Sequence, residues 1–223
     1  MTLETLNEKN SISEDQNNLS HGISISNVCH TYPSKKSKPT LALNDVNLEI
    51  ENREFLSVLG PSGCGKSTLL YILGGFIPLQ SGSIQVNNHP IAGPGPDRGV
   101  VFQHFALFPW KTVLDNILYG LKKKNLSKKE SVDIAQYYIE LVQLSGFENA
   151  YPEQLSGGMK QRVAIARTLA IDPEFLLMDE PFGALDAQTR RLMQEELLAV
   201  WRGSPKTVMF VTHDVREAVF LWE

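Results

Sequence analysis

The sequence predicts an α/β fold: a mainly parallel sheet with flanking helices, an N-terminal antiparallel β subdomain and a helical subdomain inserted into the core. Three observations predict it. Apolar runs at "EFLSVLG", "EFLLMDE" and "TVMFVTHD" each end in glycines or polar residues, as buried strands of a parallel sheet do. The segment from Gly22 to Ile50 carries two alternating stretches around a polar break, the pattern of antiparallel strands. Between Phe105 and Leu155 the chain turns helix-like, with no convincing strand. A length of 223 residues, 42% hydrophobic and 21% charged, suits one large α/β domain or a core with a smaller lobe.

Taken in order, "EFLSVLG" enters a glycine-rich loop and "KSTLLYILGGF" supplies the helix after it. "SGSIQVNNHPI" reads as a further strand, and the Gly/Pro-rich "AGPGPDRGVVFQ" as a connection. "KTVLDNILYGLKKK" and "SKKESVDIAQYYIELVQLSGF" are the helices of the inserted lobe. The core then resumes: "QRVAIARTLA" is helical, "FLLMD" is a buried strand, and "AQTRRLMQEELLAVWRG" places Met193, Leu197, Val200 and Trp201 on one helical face. "VMFVT" is the next buried strand, and "VREAVFLWE" begins a helix. This divides the chain into a polar tail at 1–21 and one domain at 22–223. Segments 22–103 and 159–223 form the β subdomain and core, and 104–158 the helical subdomain.

Composition excludes several classes. Net charge is −4, and the basic cluster from Lys122 to Lys129 reads as a solvated helix face, so no nucleic-acid footprint is expected. No run of about 18 uncharged apolar residues would span a bilayer. The first 21 residues lack the basic start and apolar run of a signal peptide and read as a disordered tail, which points to the cytoplasm. Two cysteines make no disulfide framework; Cys64 lies inside the glycine loop as a small filler, and both it and Cys29 are expected to be reduced.

The chemistry begins at Gly60-Pro61-Ser62-Gly63-Cys64-Gly65-Lys66-Ser67-Thr68. Glycine, four residues, glycine, lysine and serine form a phosphate loop. Glycines let the backbone wrap phosphates with its N–H groups, Lys66 reaches the β and γ phosphates, and Ser67 can ligate Mg²⁺. The core is therefore that of a phosphate-loop nucleoside triphosphatase, and Mg-ATP is the implied ligand. Asp179 and Glu180 close a parallel strand at its carboxyl end, where ligands bind. Asp179 is placed to hold Mg²⁺, and Glu180 to polarise the attacking water as general base. His213 leaves the next strand on the same rim and can donate to the γ phosphate. Gln103, at the junction of core and lobe, can touch both Mg²⁺ and the attacking water. A second anion cradle opens at "LSGG", where Ser156, Gly157 and Gly158 begin a helix but bring no lysine.

"GPSGCGKST", the Gln103 junction, "LSGGMKQR", "FLLMDEPFGALD" and "VTHD", in this order, resemble the nucleotide-binding subunit of ATP-binding cassette transporters. The likeness runs from Gly22 to Glu223, and "LSGG" upstream of the acidic strand is its most specific element. It implies a head-to-tail dimer in which each ATP lies between the lysine loop of one copy and Ser156, Gly157 and Gly158 of the other. The second cradle then needs no lysine of its own. It further implies that Tyr32 stacks on adenine, worth about 1 to 3 kcal/mol, and that Asp186 links the two active sites. Met159 stands where the family most often has glutamine, which leaves the serine and glycines to carry the phosphate contacts.

"GPGPDRGVVFQHFALFPWKTVLDNILYGL" and "FGALDAQTR" are similar to importers for taurine, other sulfonates or nitrate. The partners so implied are an integral membrane permease, docking beside Gln103 near Phe108 and Trp110, and indirectly a periplasmic or extracellular solute-binding protein. The subunit would then sit peripherally on the cytoplasmic face of the cell membrane. Burial of Phe108 and Trp110 within the lobe is the alternative at those positions. Relatives usually continue past the histidine helix with further strands and a helix, so either a trimmed domain with an open sheet edge or an incomplete sequence is expected. Other readings are an importer ATPase for another small solute, a cassette ATPase acting on nucleic acid or ribosomes, and a regulatory or defective subunit.

Overall fold

The structure, a computed structural model, describes residues 22–34, 38–204 and 206–221. The tail expected at 1–21 lies outside the described residues, as do the last two positions.

Strands β1 (Ile23–Tyr32) and β2 (Thr40–Ile50) pair antiparallel, with Ile23 opposite Ile50 and Tyr32 opposite Thr40. β4 (Ser81–Val86) joins the other edge of β1, and the short β5 (His89–Pro90) completes a sheet of order β2-β1-β4-β5. The second sheet, of order β3-β8-β7-β6, is parallel: β3 (Phe55–Leu59), β8 (Thr207–Thr212), β7 (Phe175–Asp179) and β6 (Arg98–Val101). β6 is a finding that sequence periodicity did not supply. Four residues behind a Gly/Pro-rich segment are too few to show a strand period.

Two helices, α2 (Val113–Leu121) and α3 (Lys128–Leu141), make the lobe, each shorter than its apolar pattern suggests. Thr112 caps α2, and Ser127 with Glu130 forms a reciprocal capping box on α3. The remaining helices are α1 (Lys66–Leu73), α4 (Gly157–Ala170), α5 (Ala187–Gly203) and α6 (Val215–Phe220).

The parallel sheet separates two apolar cores by simple alternation. Leu176 and Met178 of β7, with Val208 and Phe210 of β8, face the core built by α4, α5 and the lobe. Phe175, Leu177, Met209 and Val211 face the opposite core, with α1 and the antiparallel sheet. All of β7 and β8 is buried, as their unbroken apolar sequences require. β3 departs from that expectation. Its residues are only partly buried, with Leu59 exposed, because β3 is the end strand and has β8 alone as neighbour. The predicted stripe of α5 is inward: Met193 and Leu197 are buried, while Val200 and Trp201 pack partly buried against the same core. Trp201 meets Phe55 edge-on and donates its indole N–H to Lys206 O at 2.7 Å.

Candidate nucleotide site

The parallel topology brings the C-terminal ends of β3, β7 and β8 to one rim, and the site is assembled there. β3 runs into the loop Gly60–Gly65. Lys66 opens α1 and is 8% exposed; its ammonium donates to the carbonyls of Gly60 and Pro61 at 2.7 and 2.9 Å. Pro61, Ser62, Gly63 and Cys64 are exposed along the loop. Both cysteines are free, as expected. Thr68 and Tyr32 are joined by a 3.2 Å hydroxyl contact, and His30 packs edge-on to the Tyr32 ring at 4.7 Å, which sets that ring beside the start of α1.

Asp179, the last residue of β7, is 1% exposed. Ser67 Oγ donates to its Oδ1 at 2.8 Å, so two of the three expected metal-binding residues stand together. Its other oxygen accepts the phenol of Tyr71, also at 2.8 Å. Burial first, then the bond to Asp179, pushes the Tyr71 hydroxyl well above its ordinary pKa, so it remains a donor at neutral pH. Among the described residues no cluster of three or more His, Cys, Asp or Glu could hold a metal ion unaided. A hydroxyl and a carboxylate suit Mg²⁺, which keeps several waters and takes phosphate oxygens for the rest.

Glu180 follows in the left-handed region at φ 45, with its N–H donating to Val211 O at 2.9 Å. Its Oε2 receives Gln103 Nε2 at 3.2 Å and His213 Nδ1 at 3.0 Å. Two residues far apart in the chain thus converge on one carboxylate. When Nδ1–H serves Glu180, Nε2 of the neutral ring is an acceptor, and it donates only as the imidazolium.

The second cradle is separate. Ser156 Oγ caps α4 through Met159 N at 3.2 Å, and Asp186 caps α5 through Gln188 N and Thr189 N. Those donors, the Thr189 N–H foremost, hold the Asp186 carboxyl below its usual pKa. Among the described residues, neither Ser156 nor Asp186 shares a hydrogen bond with the phosphate loop.

At the lobe junction Phe108 is half-buried against Tyr119, with ring centroids 4.4 Å apart, whereas Trp110 is 71% exposed. Burial within the lobe therefore holds in part for Phe108 and not for Trp110. Asn116, fully buried, fixes this loop. Its Oδ1 accepts from Phe108 N, and its Nδ2 donates to the carbonyls of Phe108, Lys111 and Thr112.

Sequence reading missed Tyr71 and a second network, in which Thr212 donates to the buried Glu217 at 2.6 Å and Arg190 lies 3.7 Å from it. Tyr71 had one available signal: it follows Ser67 by four residues, which puts both on one face of a helix. Glu217 follows His213 by four, but its burial depends on β8 and α5 and was not visible locally.

A lysine loop, an acid-ended strand and a glutamate shared by histidine and glutamine on one sheet rim define a phosphate-loop nucleoside triphosphatase. The sequence profile of the ABC transporter family matches residues 43–183. An ABC transporter ATP-binding protein of Methanocaldococcus jannaschii is 58% identical over 180 residues, 81% of this chain and 67% of that relative. Nitrate import ATP-binding protein NrtD of Synechocystis is 52% identical over 186 residues, 83% and 70% of the two chains. Taurine import ATP-binding protein TauB of Escherichia coli is 51% identical over 194 residues, 87% and 75%. Among solved structures, the dimeric MJ0796 ABC transporter cassette superposes with a TM-score of 0.83 at 37% identity, over 89% of this chain and 90% of that one. Its post-hydrolysis state, bound to ADP and Pi, gives 0.82 at 36%. The chain belongs to the ABC transporter family and is one of its ATP-binding, ATP-hydrolysing cassettes. Among the described residues no helix is long and apolar enough to cross a membrane.

Proposed function

We propose that this cassette powers an importer for a small anion such as taurine, another sulfonate or nitrate. The observation that carries its enzymatic part is the convergence of Gln103 and His213 on Glu180, beside the Ser67–Asp179 pair. What supports the anion is the likeness to nitrate and taurine import proteins.

A triphosphate in the loop would take the place of the two carbonyls that hold Lys66, with backbone N–H groups between Ser62 and Thr68 as further donors to the phosphates. Ser67, Asp179 and Gln103 would hold Mg²⁺, which supplies positive charge to the β and γ phosphates. Glu180 accepts a proton from the attacking water. Gln103 and His213 fix the carboxylate for that task, and Tyr32 stacks on the base. Each site is completed by a second copy, whose Ser156, Gly157 and Gly158 present a helix N-terminus to the γ phosphate. Asp186 follows Leu185, which borders Gly158, and would link the paired sites. A membrane permease docks at the exposed Trp110 and the Gln103 junction, holding the subunit at the cytoplasmic face. The helical subdomain at 104–158 therefore acts as the arm between permease and core.

Glu180→Gln is expected to lower phosphate release by about 10²-fold or more and to accumulate an ATP-bound dimer in sedimentation. Undiminished release would refute the base assignment. Cells lacking the chain should lose taurine, sulfonate or nitrate uptake; intact uptake of all three would overturn the cargo.

A further inference from the structure

Asp179 is a buried carboxylate with one hydroxyl donor on each oxygen. Among the described residues it has no lysine or arginine partner. Both donors come from α1, four residues apart, so a single helix face grips the carboxylate at two points. Two bonds on opposite oxygens fix the rotation of a planar group where one would not. Ser67 can keep donating its proton to Oδ1 while its lone pairs face a cation. Tyr71 takes the other oxygen and is not itself in the donor set.

The Tyr71 ring does a second thing. It packs against Phe102, with centroids 5.8 Å apart, and Phe102 is also pinned edge-on by Phe76 at 5.2 Å. The carbonyl of Phe102 accepts Nε2 of Gln161, a 1% exposed residue of α4, at 3.4 Å. The next residue is Gln103, which donates to Glu180.

We propose that Tyr71 is a positioning residue of the metal site: its phenol sets the orientation of Asp179, and its ring, against Phe102, ties that carboxylate to the backbone that aims Gln103. The proposal rests on the metal role given above to Ser67 and Asp179. Outer-shell groups of this kind decide metal affinity by orienting ligands, and their loss typically costs about 10- to 100-fold.

The test measures metal affinity apart from turnover. With the full chain in a Glu180→Gln background and saturating ATP, Mn²⁺ binding is titrated by electron paramagnetic resonance. Tyr71→Phe keeps the ring and loses only the hydroxyl. It is expected to raise the Mn²⁺ dissociation constant about tenfold with ATP affinity in chelator unchanged. Phe102→Leu, which touches neither carboxylate oxygen, should raise it several-fold. Wild-type Mn²⁺ affinity in Tyr71→Phe, with a loss in Ser67→Ala, overturns the role of Tyr71 alone. Wild-type affinity in both variants overturns the metal site together with it. Wild-type affinity in Phe102→Leu removes the tie to Gln103.

Discussion

At Gly65 the backbone stands at φ 102, and a Cβ there would overlap the carbonyl oxygen of Ala42 in the antiparallel sheet. The position is thus restricted twice, by its left-handed conformation and by the neighbouring sheet. Gly65→Ala is expected to cost about 1 to 3 kcal/mol of stability and to displace the start of α1, so that ATP affinity falls with the melting temperature. Equilibrium binding and a thermal scan on one sample check both. Glu180 is the opposite case, a side chain kept at φ 45 where glycine would be easier. Its carboxylate is needed by Gln103 and His213, and the bond from its N–H to Val211 O holds the strained turn. Asp179, Glu180 and His213 were legible because they stand at the ends of apolar runs, and Lys66 because of the glycine spacing before it. The meeting of Gln103 and His213 on Glu180 was not, since it depends on the order in which β3, β8, β7 and β6 lie side by side.

Among the elements, α4 and α6 carry the most testable consequences. Ser156 caps α4, and the proposed dimer gives it a second task, facing a phosphate, that a substitution can separate from the first. Ser156→Ala should lose the cap and about 1 kcal/mol of stability. Ser156→Asp should keep the cap and the melting temperature, yet abolish hydrolysis by setting a negative charge against the γ phosphate. Helix α6 is anchored by Glu217, whose burial raises its pKa above the ordinary 4.5 despite the Thr212 hydrogen bond and nearby Arg190. A carboxyl whose folded pKa is raised binds its proton more tightly when folded. It therefore withdraws stability as pH climbs from about 4.5 through the folded value. Glu217→Gln keeps an acceptor for Thr212 and loses that slope, so denaturant midpoints above and below this window should converge in the variant. The long helices and the buried β7 and β8 could be read from sequence because period and composition are local. β6 and the edge status of β3 could not, because neighbouring strands decide both.

For the whole molecule, the separation of the two cradles makes a prediction no monomer experiment can. Lys66→Ala and Ser156→Asp should each be inactive alone. Mixed, they can form a pair in which one site draws an intact lysine loop from one chain and an intact α4 from the other. Activity should reappear on mixing and follow the formation of mixed dimers in sedimentation. Continued inactivity of a proven mixed dimer would mean that each copy completes its own site. The sequence carried both glycine motifs in plain view, but only the fold shows that the bonds of Ser156 and Asp186 go to their own helices rather than to the loop.

The two amide hydrogens of Asn116 are shared among the carbonyls of Phe108, Lys111 and Thr112, while its Oδ1 accepts the Phe108 N–H. The segment bearing Trp110 is thus tied on both sides to a buried side chain of α2. Under the permease docking proposed above, a push at that indole would reach α2 through these bonds, as by a gear tooth cut from the same block as its shaft.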